Sequence, residues 1–299
     1  MIRRTISKLN EKIPITQAAY REGRSTTEQV YTFKTLAEKA ITSNNYEIHI
    51  LMLDMSKAFD TIKRKTLIQD LKEILDEDEI HMIYILLKEV EYQVRCGSNL
   101  GEAIKTNIGT PQGDCLSAVL FTFYLAKSLE QETTNEINEH NYAKPDTPSD
   151  DILPTQIKDH NYCKKTTNYI NIDQQYADDI GYATTNIGIV KSTEEKIPIK
   201  LKERNLFVNT EKTEKYNIKR NGNEEWKKCK YLGTILDSEK DIKRRKGLAI
   251  DSFNKLKHVL QSKKVNIKTK TRIFNTFVSS IFLYNCELWT VTKHLENKI

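Results

Sequence analysis

Asp178 and Asp179 stand side by side inside the apolar and aromatic stretch QQYADDIGYATT, residues 174–185. Adjacent carboxylates repel, and an apolar setting makes their hydration hard to keep, so such a pair belongs either on a solvated turn or against a cation. Taken alone, the pair reads as a turn. A further carboxylate, Asp54, ends the apolar run YEIHILML of residues 46–53. If Asp54 and the pair converge, three anions in one place are tolerable chiefly around a divalent cation. Oxygen-only ligands suit Mg²⁺, with Mn²⁺ as a possible substitute, and such an ion takes its remaining ligands from water and substrate phosphates. Two such ions, about 3.5–4 Å apart, can activate a 3′-hydroxyl and stabilise a leaving pyrophosphate, which is the chemistry of nucleotidyl transfer.

Positioning these groups requires particular elements. Asp54 sits where a β-type run hands over to the helical spacing of MSKAFDTIKRKTLIQDLKEIL, in which Phe59, Ile62, Leu67, Leu71 and Leu75 form one broad buried face. Carboxyl ends of strands are where ligands usually collect. The stretch around the Asp pair reads as strand, tight turn and strand, a hairpin with both carboxylates at its tip. EIHMIYILLKEV (79–90) reads as a helix, and residues 92–109 as two strands around a glycine-containing turn. Two glycines and a proline shape the loop 109–113, leaving backbone N–H groups and Gln112 to face a ligand. Asp114 then caps an apolar helix from Cys115 to about Leu129. From 130 to 173 come nine acids, four lysines and three prolines, the composition of an insertion or long loop. Near the end, Ala249, Phe253, Leu256 and Leu260 share one helical spacing and Ile273, Phe277, Ile281 and Tyr284 another, which predicts two amphipathic helices.

Hydrophobic residues at 38% and charged residues at 29% describe a polar but globular chain of 299 residues, room for one large domain or two smaller ones. Cys96, Cys115, Cys163, Cys229 and Cys286 form no CxxC pair, which argues against a disulfide framework or a zinc site and for a reducing compartment. No apolar segment follows the basic start MIRRTISKLNEK and none is long enough to span a membrane, so a soluble intracellular protein is expected, in nucleus or cytoplasm. The net charge of +6 is unevenly spread: 26 Lys/Arg face 13 Asp/Glu from residue 191 onward, but 21 face 28 before it. A basic half joined to an acidic half that holds the paired aspartates suggests a polyanion track beside a metal centre.

The blocks LDMSKAFD (53–60), GTPQGDCLSAVLF (109–121), YADD (176–179), NLFVNTEKTE (205–214) and KYLGTILD (230–237) occur in an order that resembles reverse transcriptases, and more narrowly those of non-LTR, LINE-type retrotransposons. QAAYREGRSTTEQV (17–30) is similar to the fingers segment of that family, and RIFNTFVSSIFLYNCELWTVTK to the segment after its polymerase domain. The resemblance implies an α+β fold: an antiparallel palm sheet backed by helices, partial fingers and a small helical thumb. It implies a reverse transcriptase domain over 1–236, with the polar insert at about 130–173, and a basic thumb-like region over 237–299. Asp54, Asp178 and Asp179 would hold two Mg²⁺ ions, with the Met55 carbonyl as a further ligand. Phe59 would lie under the sugar of the incoming dNTP, where a ring leaves no room for a 2′-hydroxyl. Gln112 and Gly113 would lie along nucleotide and template, and Lys212 would approach the pyrophosphate as a proton donor or counter-charge. Arg21 would reach the triphosphate and Arg24 the template backbone. Tyr231, Leu232 and Gly233 would form the hairpin that steadies the primer end, and Lys243, Arg244, Arg245 and Lys246 would meet the duplex backbone. RNA template, DNA primer and dNTPs are the implied partners, with no membrane.

Several features depart from the family pattern. The chain starts close to the QAAYREGRS segment, Ala19 replaces the usual Gly and Ala118 the frequent Pro, and the expectation is a fragment of a retroelement reading frame that keeps its carboxylates and lacks its flanks. Two other readings stand beside a polymerase: a non-catalytic nucleic-acid-binding remnant, and an RNA-directed RNA polymerase, against which Phe59 and the Tyr176-Ala177 pair speak.

Overall fold

The computed structural model describes residues 1–43, 47–88, 90–139 and 170–296. In chain order the elements are α1 (Ile2–Asn10), α2 (Thr26–Thr42), β1 (Ile48–Leu53), α3 (Arg64–Leu71), α4 (Glu77–Lys88), β2 (Val90–Tyr92), β3 (Arg95–Cys96), β4 (Asn99–Leu100), β5 (Ile104–Thr106) and α5 (Cys115–Glu139). There follow β6 (Asn171–Tyr176), β7 (Asp179–Thr184), α6 (Ile187–Glu203), β8 (Glu214–Ile218), β9 (Lys230–Tyr231), β10 (Thr234–Ile235), α7 (Ser238–Gln261) and α8 (Ile267–Phe274). The chain forms two compact units, one of Met1–Ser25 with His49–Lys215 and one of Thr26–Ile48 with Tyr216–Ile299. Within the second unit α2 and β9 pack together, the rings of Phe33 and Tyr231 meeting edge to face at 5.0 Å.

In the first unit, β7 lies between β6 and β1 and pairs antiparallel with both. Leu51, Leu53 and Ile180 are buried and send their side chains into a core with Leu120, Phe121, Tyr124 and Leu125 of α5 and Leu67 and Leu71 of α3. This is the antiparallel sheet backed by helices. The helix α5 starts where expected, with the Asp114 carboxylate accepting from the N–H and hydroxyl of Ser117, both at 3.2 Å. It runs on to Glu139, past the expected end near Leu129. The strand β6 likewise begins at Asn171, inside the expected insert, whose residues 140–169 lie outside the described ones.

Two further expectations are corrected. Phe59, Ile62, Leu67, Leu71 and Leu75 all pack on the core, but not from one helix: Lys57 takes a left-handed conformation at φ 49°, Ala58–Asp60 forms a 3-10 turn, and Lys63 is extended before α3 begins. Apolar periodicity survived the breaks because each piece presents its apolar residues to the same interior. Residues 90–106 form not two strands but four short ones, β2 pairing with β5 and β3 with β4.

In the second unit, β9 and β10 form a hairpin whose turn residues Leu232 and Gly233 both have positive φ, at 46° and 77°. The helix α7 is capped by Asp237, whose carboxylate accepts from the Lys240 N–H at 2.9 Å. The second amphipathic stretch is interrupted: α8 ends at Phe274 and a π-helical turn spans Asn275–Ser279. Among the described residues no helix is long and apolar enough to cross a membrane.

Candidate nucleotidyl-transfer site

Asp178 is the second residue of a two-residue turn, with Tyr176 paired to Asp179 as the last rung of the β6–β7 ladder. Ala177, the first turn residue, has φ 55°, the sign that two-residue hairpin turns need to match strand twist. The neighbouring ladder runs to Leu53 opposite Ile180, so Asp54, one step further, falls across from Asp179 on the face away from the buried Leu53. Asp54 is also close enough to Asp178 for its charge to matter. Burial pushes the Asp178 carboxyl above the usual carboxylate range, its own backbone N–H pulls it partly back, and the negative Asp54 raises it further.

A turn at residues 209–213 docks on the same strand end. The Asn209 N–H donates to the Asp54 carbonyl at 2.8 Å and the Ser56 N–H to the Phe207 carbonyl at 2.8 Å, bridging Met55 to Val208. Neither bond uses the Met55 carbonyl. Within the turn, the Asn209 carbonyl accepts from Lys212 N–H at 3.2 Å and from the Thr213 hydroxyl at 3.0 Å. This folding brings the Lys212 ammonium to 3.4 Å from the Asp54 carboxylate. Both side chains stay partly exposed, which makes the pair a weak one energetically and leaves both groups open to exchange partners.

Phe59 stacks on the buried Phe121, ring centroids 4.3 Å apart. The loop 109–113 is fastened over it: Thr110 N–H donates to the Phe59 carbonyl at 2.9 Å and Gly109 N–H to the Ile62 carbonyl at 2.8 Å. Arg64, buried, spreads its guanidinium over the carbonyls of Thr106 (2.6 Å), Gly109 (2.7 Å), Leu87 (2.8 Å) and Ile108 (2.9 Å). At the exposed end of the loop Gln112 reaches the Asp60 carboxylate at 3.5 Å.

The sequence profile described as "Reverse transcriptase (RNA-dependent DNA polymerase)" matches residues 1–236. The chain belongs to the reverse transcriptase family. Among curated proteins none matches. Solved structures similar to it include telomerase from Candida tropicalis with a TWJ fragment of telomeric RNA, at 14% identity over 94% of this chain and 45% of that one, with a TM-score of 0.54. Apo telomerase from Candida tropicalis is another, at 13% identity, 99% and 52% coverage and a TM-score of 0.53. The chain thus spans about half the length of these telomerase chains, and the likeness is one of fold: the α+β polymerase architecture with its antiparallel sheet.

Within this reverse transcriptase unit, Asp54, Met55, Asp178, Asp179 and Lys212 gather at one end of the sheet, and Phe59 with the loop fastened over it follows a few residues after β1. Among the described residues no three acidic, His or Cys side chains are drawn tightly enough to enclose a metal ion. The donor set is nonetheless all oxygen, and Asp178 bears a charge penalty from Asp54 that a cation would relieve. In chemical type, though not in spacing, these donors suit a hard divalent ion.

Other family positions are placed differently from expectation. Arg21 turns its guanidinium inward onto the carbonyls of Pro14 (2.8 Å), Ile13 and Gln17 (both 3.3 Å), and burial and then Arg24 lower its pKa. It tethers a loop of the protein where a triphosphate contact was expected. In the second unit Arg245 is also buried: it donates to the Gly233 carbonyl, sits 3.8 Å from Asp241 and lies 4.4 Å over the Tyr284 ring. Arg244 shares the Gly233 carbonyl at 2.9 Å, so Lys243 and Lys246 are the exposed cations of the run. Tyr231 is buried as well, Leu232 and Gly233 are half-buried, and Lys230 is the exposed residue of the hairpin. Sequence reasoning passed over Gln17, Arg64 and Tyr20, whose phenol is pushed up by burial and by Asp178 nearby. The first and last lie in the QAAYREGRS segment, which was a usable signal; Arg64 had none.

Proposed function

We propose that the chain is the RNA-directed DNA polymerase part of a non-LTR, LINE-type retroelement protein, joining dNTPs to a primer 3′-hydroxyl on an RNA template. The observation that carries this reading is the setting of Asp54, at 3.4 Å from Lys212, bearing electrostatically on Asp178 and lying across from Asp179. The narrower assignment rests on the order of blocks from QAAYREGRS to KYLGTILD.

Two Mg²⁺ ions held by Asp54, Asp178, Asp179 and the Met55 carbonyl would supply hydroxyl activation and neutralise charge on the departing pyrophosphate. The remaining work belongs to side chains. The Lys212 ammonium, released from Asp54, donates a proton or a counter-charge to the pyrophosphate oxygen. Phe59, held by Phe121 beneath it and by Thr110 at its carbonyl, presents a wall that a 2′-hydroxyl would strike. Gln112 and Gly113 line the nucleotide and template side, on a loop supported by Arg64.

Primer extension on poly(rA)/oligo(dT) with dTTP tests the reading, with wild type beside Asp178→Asn, with and without Mg²⁺. Metal-dependent extension that Asp178→Asn abolishes, with duplex binding retained, is expected. Extension at the same rate in the variant rules out this site, and salt-sensitive binding without any extension points to a non-catalytic remnant.

A further inference from the structure

The side chain of Gln17 is fully buried, and its amide is spent on the turn that carries the paired aspartates. Its Oε1 accepts from the N–H of Ala177 at 2.9 Å and from the N–H of Ala19 at 3.1 Å, while its Nε2 donates to the carbonyl of Ala177 at 3.2 Å. Both polar groups of Ala177 are therefore held by one amide. Flipping that amide would set its NH₂ against two N–H donors and its oxygen against a carbonyl, so one orientation alone satisfies all three bonds. The reach is set by the backbone. Gln175 N–H donates to the Thr16 carbonyl and Ala18 N–H to the Gln175 carbonyl, both at 2.9 Å, so residues 16–18 run alongside β6 and aim Gln17 two residues ahead, at the turn. Arg21 in turn fastens the carbonyls of residues 13, 14 and 17.

Ala177 needs this support. At φ 55° it occupies the left-handed region, which costs an alanine steric energy and which its methyl group cannot offset by any hydrogen bond of its own. Glycine would adopt it without penalty. Without Gln17 the Ala177 N–H and carbonyl would be buried and unpaired, and the turn could relax by rotating Asp178 away from Asp54.

We infer that Gln17 is a positioning residue for the metal-binding aspartates: its amide fixes the strained Ala177 peptide and so the direction of Asp178 and Asp179. This rests on the reading of Asp54, Asp178 and Asp179 as cation ligands. Residues that orient metal ligands commonly change metal affinity by about 10–100-fold when replaced.

Mn²⁺ titration followed by electron paramagnetic resonance tests the inference without any turnover. The proteins compared are wild type, Asp178→Asn, Gln17→Met, which keeps the volume and removes the amide, and Gln17→Met with Ala177→Gly. Asp178→Asn is expected to lose the tight site and Gln17→Met to weaken it about tenfold. Adding Ala177→Gly should restore part of the loss, because glycine removes the steric cost of the left-handed turn while its N–H and carbonyl stay without the amide. Unchanged Mn²⁺ affinity in Gln17→Met overturns the positioning role, and so does a loss that Ala177→Gly leaves uncorrected, since that marks damage to packing. If Gln17→Met does not fold, Gln17→Asn, which withdraws the amide by one methylene, must show the same weakening for the role to stand. A wild type that binds Mn²⁺ no better than Asp178→Asn overturns the cation reading itself, an outcome distinct from failure of Gln17 alone.

Discussion

A methyl group added to Gly109 would stand 2.8 Å from the Asp60 carbonyl oxygen and 2.9 Å from its Cα, on a backbone already at φ 75°. Neither neighbour can move without disturbing the 3-10 turn that holds Phe59. Gly109→Ala should therefore lower stability by about 1–3 kcal/mol in urea unfolding and shift the loop carrying Gln112, raising the dNTP KM more than it lowers kcat. Phe59 itself offers a cleaner test of substrate choice. Its ring lies on Phe121, so trimming it opens space at the top of the core without unstacking a helix. Phe59→Val is expected to raise the UTP to dTTP ratio of kcat/KM on poly(rA) by roughly tenfold or more. An unchanged ratio would remove Phe59 from the sugar site.

Helix α1 is held on α4 by charge. Arg4 and Lys8 reach the buried Glu79 carboxylate at 2.8 and 2.7 Å and also pair with Asp76 at the α4 N-terminus. Burial alone would raise the pKa of Glu79, but the hydrogen bonds from Lys8 and Arg4 outweigh it and bring it down from 4.5 to about 2. A pKa lowered by folding stabilises the folded state fully above the unfolded value, and that contribution is lost as pH falls through the folded value. Stability should accordingly decline between about pH 4.5 and 2, and Glu79→Gln should flatten that part of the pH profile while lowering stability at neutral pH. Chemical denaturation at stepped pH measures both. A second element-level device is the Arg64 fan, where one cation serves four carbonyls. Arg64→Met would leave the buried Leu87 and Gly109 carbonyls without this donor, at a cost of about 3 kcal/mol, and loosen the strand-to-loop passage at 106–109.

For the molecule as a whole, electrostatics separate the two ends of the chain, the excess of lysine and arginine lying after residue 190. Such a surface binds polyanions by releasing counterions, so affinity for an RNA–DNA duplex should fall steeply with salt. The structure sharpens which residues contribute. Lys243→Glu and Lys246→Glu should each reduce the slope of log K against log salt by about 1 in anisotropy titrations. Arg245→Ala, which removes a guanidinium packed on Tyr284 and Gly233, should lower the thermal midpoint and leave that slope nearly unchanged.

What could be read from the chain alone were features with local causes. The hairpin at Asp178–Asp179, the strand that ends just before Asp54 and the Asp114 cap each follow from short-range spacing, and the order of the blocks carries the resemblance to one family. The division into units, the breaks between Phe59 and Leu67, and the inward turn of Arg21 and Arg245 were not legible, because each depends on which distant carbonyl or ring lies within reach. The sequence determined that carboxylates of the right kind stand at a strand end and a turn. Tertiary structure alone decided that Lys212 meets Asp54 and that the Gln17 amide, 160 residues away along the chain, holds the peptide beside Asp178, since side-chain hydrogen bonds of that range leave no periodic trace.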